Sequence, residues 1–324
     1  MSTRTELLKL FQENAGVYLS GQSIGEELQI SRNSIWKAVN QLRKEGYDIE
    51  SKTGAGYLFK RKENLLTFDG INACLRHPCE LKVFDQVGST NDVAKESHVG
   101  LKPLLIVADR QTAGRGRLGR TFASPGDSGL YMTLALRPTF DLDKSLYVTM
   151  AVAVAVCRAI EKVAGVKGRI KWVNDIFYRN KKVCGILTEA QSNFETGKID
   201  TLIIGIGVNC FPGALPESLK DIAGCLAEMP GAFSRAELAA EIFNETLDIL
   251  EELDSMAFLR EYRSKCFILG KNIYIHPNLD QRAIRARAID IDDNGGLVVE
   301  YMEGRKMRQM ETLTTGEVSI RLDE

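Results

Sequence analysis

The sequence predicts an α+β protein built around a mixed, largely antiparallel β-sheet that is covered by helices on one face. Short apolar or alternating stretches follow one another between hairpin-type turns, a pattern typical of strands that pair with their sequence neighbours. The segment 145–164 is apolar nearly all round, which predicts a long helix buried against the sheet. Amphipathic helices come first, over residues 5–45, and short strands come last. We therefore expect three domains, over residues 1–63, 64–270 and 271–324.

Length and composition are those of an ordinary globular protein. The 324 residues suffice for two or three domains, and 26% of them are charged and 44% hydrophobic. The net charge of −1 provides no overall field for nucleic acid or membrane, so DNA binding would need a local patch. The longest apolar run, Tyr147–Cys157, is too short to span a bilayer, and the N-terminus lacks the apolar core of a signal peptide. We expect a cytoplasmic protein with no membrane partner.

Cysteine and histidine predict neither a disulfide scaffold nor a metal site. The seven cysteines are an odd number without paired spacings, which suits a reducing compartment. One cluster, Cys74-x-x-His77-x-Cys79, lacks a fourth ligand nearby and matches no usual zinc spacing. We expect no metal site in the protein itself.

The first 60 residues have the pattern of a winged helix-turn-helix. Helical faces over Thr5–Asn14, Ser23–Leu28 and Arg32–Glu45 precede two short strands around a glycine turn, and Ser31 has the place of an N-cap. The third helix carries cationic and amide groups on the side away from its apolar face, and such groups can contact phosphates and bases. We assign DNA binding to Ser31, Arg32, Asn33, Trp36 and Lys37. A helical module for protein interactions is the alternative.

The charge of this segment predicts weak DNA binding by a single copy. Residues 1–60 contain eight Lys or Arg against seven Asp or Glu, so one copy can make few phosphate contacts. Two copies held together would gain from effective concentration and would bind a two-fold operator. We therefore expect a homodimer on DNA.

The middle segment alternates strands and helices, and after Lys271 the pattern changes to short strands with a turn at Asn294–Gly296. Strands are expected over 81–84, 103–109, 130–136, 169–173 and 202–208, a hairpin over 177–189, and helices over 71–76, 91–97, 145–164, 234–253 and 257–266.

A stretch rich in glycine and arginine, Gln111–Arg120, stands out in this segment. Its glycines have the G-x-G-x-x-G spacing of dinucleotide-binding loops, but that motif needs a helix directly afterwards. Pro125 and Gly126 follow and exclude the helix. The stretch is then predicted to be a flexible cationic loop, since glycines let the backbone wrap closely around a ligand and arginines bind phosphate and carboxylate. A solvated surface loop is the alternative.

Three further segments make the chain resemble the biotin–protein ligases. They are Gly88–Asp92 upstream of the loop, and Lys171–Asp175 and Lys182–Leu187 downstream of it. The resemblance covers almost the whole chain and, with the N-terminal segment, is closest to the bifunctional kind that also represses biotin genes. It implies a C-terminal SH3-like β-barrel, ATP-dependent conversion of biotin to biotinyl-5′-AMP with Mg²⁺, and transfer of biotin to a lysine of a biotin carboxyl carrier protein or domain. It also implies a homodimer that binds operator DNA when biotinyl-AMP is bound.

The residue types in these segments suit that chemistry. Ser89 and Thr90 match the family positions that line the biotin ring, and their donors and acceptors can hold a ureido group, although the segment also has the place of a helix cap. Adenylation brings a carboxylate against a phosphate, so positive charge is needed where they meet, and Lys182 in Lys-x-x-Gly is the first candidate. Asp175 can accept the proton of the acceptor lysine. The catalytic candidates are Lys182, Arg117 and Asp175, and the biotin- and adenylate-binding candidates are Ser89, Thr90, Asn91, Gln111, Gly114, Arg115, Gly116, Arg117, Arg120, Tyr131, Asn174, Lys182, Gly185 and Asn209.

Two other functions stay open at this point. A lipoate–protein ligase would share the fold and the adenylate chemistry, but its Arg-Arg-x-Gly-Gly-Gly run is missing. A biotin-sensing repressor with a degenerate ligase domain is the other alternative, and the intact set of Lys182, Arg115, Arg117 and Asp175 argues against it. The chain departs from some family members at Leu118, where they have arginine, and at Phe122, where they have tryptophan.

Overall fold

The computed structural model describes residues 3–44, 47–60, 65–138, 145–192, 199–213, 215–276, 282–314 and 319–322. The chain forms two compact units, Met1–Thr67 and Phe68–Glu324, and residues within each unit contact mainly one another. The polar linker predicted around residues 61–65 falls mostly outside the described residues, and the predicted domain boundaries stay predictions.

The first unit is a three-helix fold with a wing, which confirms the predicted winged helix-turn-helix. Its elements are α1 (Thr3–Glu13), β1 (Tyr18–Leu19), α2 (Gly21–Leu28), α3 (Arg32–Lys44), β2 (Asp48–Lys52) and β3 (Gly56–Lys60). The strands form an antiparallel sheet in the order β1-β3-β2. Apolar residues at helical spacing, such as Leu7 and Phe11 on α1 and Ile35 and Val39 on α3, are buried together. Sequence analysis did not predict β1.

The second unit is organised around a seven-stranded sheet. Its strands are β4 (Glu80–Val87), β5 (Leu104–Gln111), β6 (Gly129–Leu136), β7 (Arg169–Lys171), β8 (Asp175–Tyr178), β9 (Lys181–Ser192) and β10 (Ile199–Asn209). Their order is β4-β5-β6-β10-β9-β8-β7, with β4 parallel to β5 and all other neighbours antiparallel. This arrangement confirms the mixed, largely antiparallel sheet of an α+β protein.

Helices lie on both faces of this sheet, the long ones on one face only. They are α4 (Phe68–Asn72), α5 (Thr90–Glu96), α6 (Ser145–Ala164), α7 (Arg235–Glu251) and α8 (Ala257–Lys265). Thr149 of α6 lies 2.9 Å from Thr188, and Asn91 of α5 donates a hydrogen bond to Glu189. Consecutive residues of a strand point to opposite faces, so α5 and α6 lie on opposite sides of β9. The prediction of helices on one face thus describes α6, with α7 and α8 packed against it, while α5 lies on the other.

The C-terminal strands form a second sheet that is anchored to the rest of this unit. Strands β11 (Asn272–His276), β12 (Ile284–Ile291), β13 (Leu297–Tyr301), β14 (Met310–Leu313) and β15 (Ser319–Leu322) pair antiparallel in the order β14-β13-β12-β11-β15. The indole N–H of Trp172 donates to the Gly295 carbonyl at 3.1 Å, in the turn between β12 and β13. Arg263 of α8 donates to the Ile291 carbonyl at 2.8 Å beside the same turn. The closure of this sheet into an SH3-like barrel stays a prediction.

Several element boundaries differ from the sequence-based expectation, and two of them shorten or shift an element. The helix expected over 71–76 is α4, which covers Phe68–Asn72, and the strand expected over 169–173 ends at Lys171. Among the described residues, no helix is long and apolar enough to cross a membrane.

Candidate active site

A cavity opens on the face of the seven-stranded sheet that carries α5, and most of the predicted binding residues lie around it. Its lining includes Ser89, Thr90, Asn91, Gln111, Arg115, Gly116, Arg117, Arg120, Phe122, Lys171, Trp172, Asn174, Asp175, Lys182 and Gly185. Three predicted residues do not line it, namely Gly114, Tyr131 and Asn209.

The start of α5 and the end of β5 form a neutral polar surface, here called the polar floor (Ser89, Thr90, Asn91 and Gln111). The first three are at most 4% exposed. The backbone N–H and hydroxyl of Thr90 donate to Gln111 Oε1 at 2.8 and 3.1 Å. Ser89 occupies the N-cap position of α5, but its side chain makes no capping hydrogen bond, so the expected cap is wrong in this respect. The hydroxyl is therefore not committed to the helix and lies in the cavity lining.

Glycines on β9 and β10 let side chains of the cavity lie close to these strands. Gly185 and Gly207 are paired across the two strands. A Cβ atom on Gly207 would lie 2.5 Å from the Phe122 ring, and one on Gly205 would collide with the Asn91 side-chain oxygen. Only residues without a Cβ allow these side chains to approach so closely. The glycine of Lys-x-x-Gly, Gly185, has the same role, since a Cβ there would lie 3.2 Å from Phe122.

The segment Gly114–Arg120, here called the arginine loop, is held as a tight hairpin. Gly116 N–H donates to the Arg120 carbonyl at 2.7 Å, and Phe122 N–H donates to the Gly114 carbonyl at 2.8 Å. A side chain at Gly114 would lie 2.5 Å from the Phe122 carbonyl, so this glycine closes the loop and does not line the cavity. The flexibility predicted from the glycine content stays a prediction, and the structure shows one conformation closed by these backbone hydrogen bonds.

Positive charge lines another part of the cavity, here called the cationic wall (Arg115, Arg117, Arg120 and Lys182). The Lys182 ammonium lies 2.6 Å from Asp175 Oδ1, with side-chain exposures of 30% and 23%. That oxygen accepts no aligned hydrogen bond from any described residue, so the two groups are held by charge. Arg115 forms an ion pair with Asp92 at the half-exposed edge of the cavity.

Arg117 is a partly buried cation of this wall. Its guanidinium donates to Asn174 Oδ1 at 3.2 Å, and the Asn174 amide donates to the Ile186 carbonyl at 2.8 Å, which fixes the amide. Burial lowers the pKa of Arg117, Asp175 offsets part of that effect, and Arg120 adds to the lowering. An arginine stays charged under all ordinary conditions. Because burial is the main cause of the lowering, Arg117 is a charged group held partly out of water, and an anion beside it would be stabilised more strongly than at the surface.

Asn209 and Tyr131 lie beside the main cavity. Asn209 lies at the end of β10 in an adjoining cleft, which is also lined by Ile222 and shares Arg120, Phe122 and Lys182 with the cavity. Tyr131 is 1% exposed, and its hydroxyl donates to the Pro125 carbonyl at 3.0 Å. Its ring meets Phe122 edge-on at 6.4 Å. Tyr131 therefore packs against Phe122, which lines the cavity.

The N-terminal unit presents the predicted DNA-binding residues on the surface of α3. Arg32, Asn33, Trp36 and Lys37 are exposed, and Trp36 shows 57% of its surface to solvent. Ser31 accepts a hydrogen bond from Ser34 N–H at 3.2 Å, so it caps the helix as predicted.

Family models match three parts of the chain. Residues 83–209 match the biotin/lipoate A/B protein ligase family, residues 3–58 match an HTH domain, and residues 269–321 match the biotin protein ligase C-terminal domain. The first of these does not by itself distinguish biotin from lipoate.

A curated relative decides the family. The bifunctional ligase/repressor BirA of Bacillus subtilis (strain 168) is 34% identical to this chain, with 94% of this chain and 95% of the relative covered. The chain belongs to the family of bifunctional biotin ligases and repressors. The family member from Escherichia coli (strain K12) is 27% identical, with 93% and 94% covered. A solved structure, the biotin protein ligase from Aquifex aeolicus in complex with biotin and ATP, has a TM-score of 0.63 and 30% identity and covers 75% of this chain and 99% of that one.

Sequence reasoning from this family missed several residues around the cavity. Lys171 and Trp172 lie within a segment that the resemblance used, but neither was assigned a role, although both line the cavity. Thr133 and Glu189 lie behind the polar floor, on β6 and β9, and hydrogen-bond to Asn91. Thr133 is fully buried, and a polar residue at a buried strand position was the available signal, since such groups need partners.

Proposed function

We propose that this chain activates biotin with ATP and transfers it to a lysine of a biotin carboxyl carrier protein or domain in the cytoplasm. The observation that carries the proposal is the pairing of a neutral polar floor with a cationic wall in one cavity. The floor offers hydrogen-bond donors and acceptors suited to a ureido ring, and the wall offers charge suited to a carboxylate and phosphates. The same cavity can therefore bind both the ring and the acyl-phosphate group of biotinyl-5′-AMP.

In the first step, a carboxylate oxygen of biotin forms a bond to the α-phosphorus of ATP, and pyrophosphate leaves. Two anions must meet, so Arg117 and Lys182 lower the barrier by holding fixed positive charge beside them. Mg²⁺ would neutralise the phosphates of ATP when bound. Asp175 is the carboxylate in the cavity lining that would hold it, in exchange for its ion pair with Lys182. Most other ligands would come from the phosphates themselves.

In the second step, the amine of the acceptor lysine forms an amide bond with the biotin carbonyl, and AMP leaves. A free lysine is protonated at neutral pH, with a pKa of about 10.4. Asp175 lies on β8 within 2.6 Å of Lys182, so its carboxylate is placed at the reacting end of the cavity and can accept the amine proton.

The adenylation step can be tested at two adjacent lysines. Lys182→Ala should lower the rate of biotin-dependent exchange of labelled pyrophosphate into ATP by about 10²–10³. Lys181→Ala is the matched control, because the Lys181 ammonium donates to the Lys220 carbonyl outside the cavity at 2.8 Å. An exchange rate for Lys182→Ala close to that of the control would overturn the role of Lys182.

We also propose that the protein represses biotin genes as a homodimer on operator DNA when biotinyl-AMP is bound. The exposed face of α3 supports DNA binding, and the nearly balanced charge of residues 1–60 supports the need for two copies. By thermodynamic linkage, operator DNA should strengthen adenylate binding by the factor with which the adenylate strengthens DNA binding.

The repressor function is tested by operator affinity with and without a non-hydrolysable biotinyl-adenylate mimic, together with sedimentation. The mimic should raise both affinity and dimer fraction. Lys37→Ala should weaken DNA binding, whereas Lys9→Ala should not, since Lys9 is on α1 and pairs with Glu13. Equal operator affinity with and without the mimic would leave the protein a ligase whose DNA binding is not regulated.

A further inference from the structure

Ser124 joins the polar floor to the base of the arginine loop, although it does not line the cavity itself. Its side chain is buried, with 7% of the residue exposed. Gln111 ends β5 shortly before the loop, and its backbone N–H donates to the Ser124 carbonyl at 3.2 Å. Gln111 Nε2 donates to Ser124 Oγ at 3.0 Å, and the Ser124 hydroxyl donates to the Phe122 carbonyl at 3.0 Å.

Backbone groups at both ends of this row decide the direction of each hydrogen bond within it. The Thr90 backbone N–H can only donate, so the amide oxygen of Gln111, and not its nitrogen, must face Thr90. Gln111 Nε2 then faces Ser124, whose hydroxyl oxygen accepts one of its hydrogens. The Phe122 carbonyl can only accept, so the Ser124 hydroxyl hydrogen goes to it. Ser124 is therefore the acceptor for the Gln111 amide nitrogen.

The backbone of Gly114 packs against the same row. A Cβ atom on Gly114 would lie 2.5 Å from the Phe122 carbonyl oxygen, 2.6 Å from Ser124 Oγ and 3.0 Å from Gln111 Nε2. These are the three atoms that the last two hydrogen bonds of the row join. The arginine loop thus confines the Gln111 amide and the Ser124 hydroxyl on one side, and a glycine is required for this close approach.

We propose that Ser124 is a positioning residue that fixes the Gln111 amide in the polar floor for the ring of the substrate. The inference rests on the proposed function, which assigns the ring to this floor. Gln111 lines the cavity, so Ser124 acts on the ring only through Gln111. An amide that is already fixed loses little entropy when the ring binds, whereas an amide that can rotate must be ordered at that moment.

The test is the affinity for biotin, measured by calorimetry on the full chain. Ser124→Ala leaves the bonds between Gln111 and Thr90 in place but removes the partner of the amide nitrogen. The Kd for biotin should rise about three- to tenfold, the effect of one neutral hydrogen bond.

Ser128→Ala is the matched control. Ser128 is 6% exposed, and its hydroxyl also donates to the carbonyl two residues before it, that of Gly126, at 3.3 Å. It does not line the cavity that contains the floor. Its replacement therefore removes a similar buried hydroxyl from the same segment and should leave the Kd for biotin within about twofold.

A double-mutant cycle with Gln111 separates positioning from general support of the loop. If Ser124 acts through Gln111, Ser124→Ala should change the Kd by less than about twofold in a Gln111→Ala background, because the amide that it holds is gone. The same rise in Kd in both backgrounds would overturn the inference. Wild-type affinity of Ser124→Ala, or an equal loss of affinity in Ser128→Ala, would also overturn it.

Two further outcomes are decided by the same measurement. Wild-type protein that does not bind biotin would overturn the proposed function and the inference with it. If Ser124→Ala does not fold, Ser124→Cys takes its place in the cycle, because a thiol is close to a hydroxyl in size but is only a weak acceptor. A rise in Kd that is confined to the Gln111 background would then support the inference, and an equal rise in both backgrounds would contradict it.

Discussion

The polar floor and the cationic wall face the same cavity but differ in how much of their bonding capacity the protein already uses. On the floor, Thr90 and Asn91 are buried and engaged with Gln111, Thr133 and Glu189. The wall is held differently: Lys182 pairs with Asp175, and Arg115 pairs with Asp92 at the edge of the cavity. The pair of Arg115 and Asp92 has side-chain exposures of 41% and 44%. Exposed pairs of this kind contribute about 0–1 kcal/mol, so an incoming anion can replace the carboxylate at little cost.

This difference suggests a division of labour within the cavity. A floor whose hydrogen bonds are fixed in advance recognises a neutral ring by geometry and loses little entropy when the ring binds. A wall whose cations are held by exchangeable pairs can accept a carboxylate and then phosphates as charge develops in the reaction. We expect perturbations of the two sides to have separable effects.

The largest effect is expected when the wall is opened. Arg117→Gly removes the enclosed guanidinium and adds a further glycine to the arginine loop, so the adenylate should escape before transfer. Bystander proteins mixed with the variant should then become biotinylated at exposed lysines. Arg305→Gly removes an exposed arginine from a C-terminal turn and serves as the control. Labelling that stays confined to the carrier protein would contradict retention by the wall.

Salt should separate the two sides of the cavity. Charges near the surface are screened strongly once the Debye length falls to about 3 Å at 1 M salt. The KM for ATP should therefore rise several-fold with ionic strength, since ATP binding depends on the wall. The Kd for biotinamide, which keeps the ring but carries no carboxylate, should hardly change. Equal salt dependence of both would remove the distinction between floor and wall.

Substitution of Trp172 tests whether a hydrogen bond outside the polar floor also fixes part of the cavity lining. Trp172→Phe removes the hydrogen bond to Gly295 and leaves a smaller side chain at a position that is 5% exposed. We expect a loss of about 1–3 kcal/mol in the free energy of unfolding, measured with denaturant. Trp36→Phe is the control, because Trp36 is 57% exposed and its replacement should change stability by less than about 0.5 kcal/mol. Equal stability of the two variants would show that the contact between Trp172 and the turn at Gly295 does not stabilise the fold.

The smallest effect is expected from the pH dependence of Glu189. Burial alone would raise the pKa of Glu189, but hydrogen bonds from Lys95 and Asn91 outweigh it and lower the pKa below the ordinary 4.5. A carboxyl whose pKa is lower in the folded state stabilises the fold above its unfolded-state pKa. This contribution is lost as the pH falls below 4.5 and through the folded-state pKa. The stability difference between wild type and Glu189→Gln should therefore shrink over that range, and a difference independent of pH would contradict the ion pair.

The sequence was informative wherever function resides in a short segment. Ser89 and Thr90 are adjacent, and Lys182 and Gly185 lie within one strand, so spacing and residue type alone could mark them. The α+β class also followed from local patterns, since neighbouring strands are joined mostly by short connections. The predicted role of Tyr131 had no such basis, because the direction of its side chain depends on how β6 packs against Pro125 and Phe122.

Long-range contacts account for most of what the sequence did not reveal. Glu189 lies 98 residues from Asn91 along the chain, and Gly295 lies 123 residues from Trp172. Nothing in either local segment indicates such a partner. The arginine loop is a third case: its glycine content did not reveal the hairpin that the structure shows, with a hydrogen bond from Gly116 to Arg120.

The central claim is that one cavity recognises the biotin ring and activates its carboxylate. The most direct measurement is exchange of labelled pyrophosphate into ATP by the wild-type chain, with biotin, with lipoate and with neither acid. Exchange reports reversible acyl-adenylate formation and needs no acceptor protein. We predict rapid exchange with biotin and only background exchange with lipoate or without an acid. Exchange supported equally by lipoate would contradict ring recognition by the polar floor, and background exchange with biotin would contradict the ligase function itself.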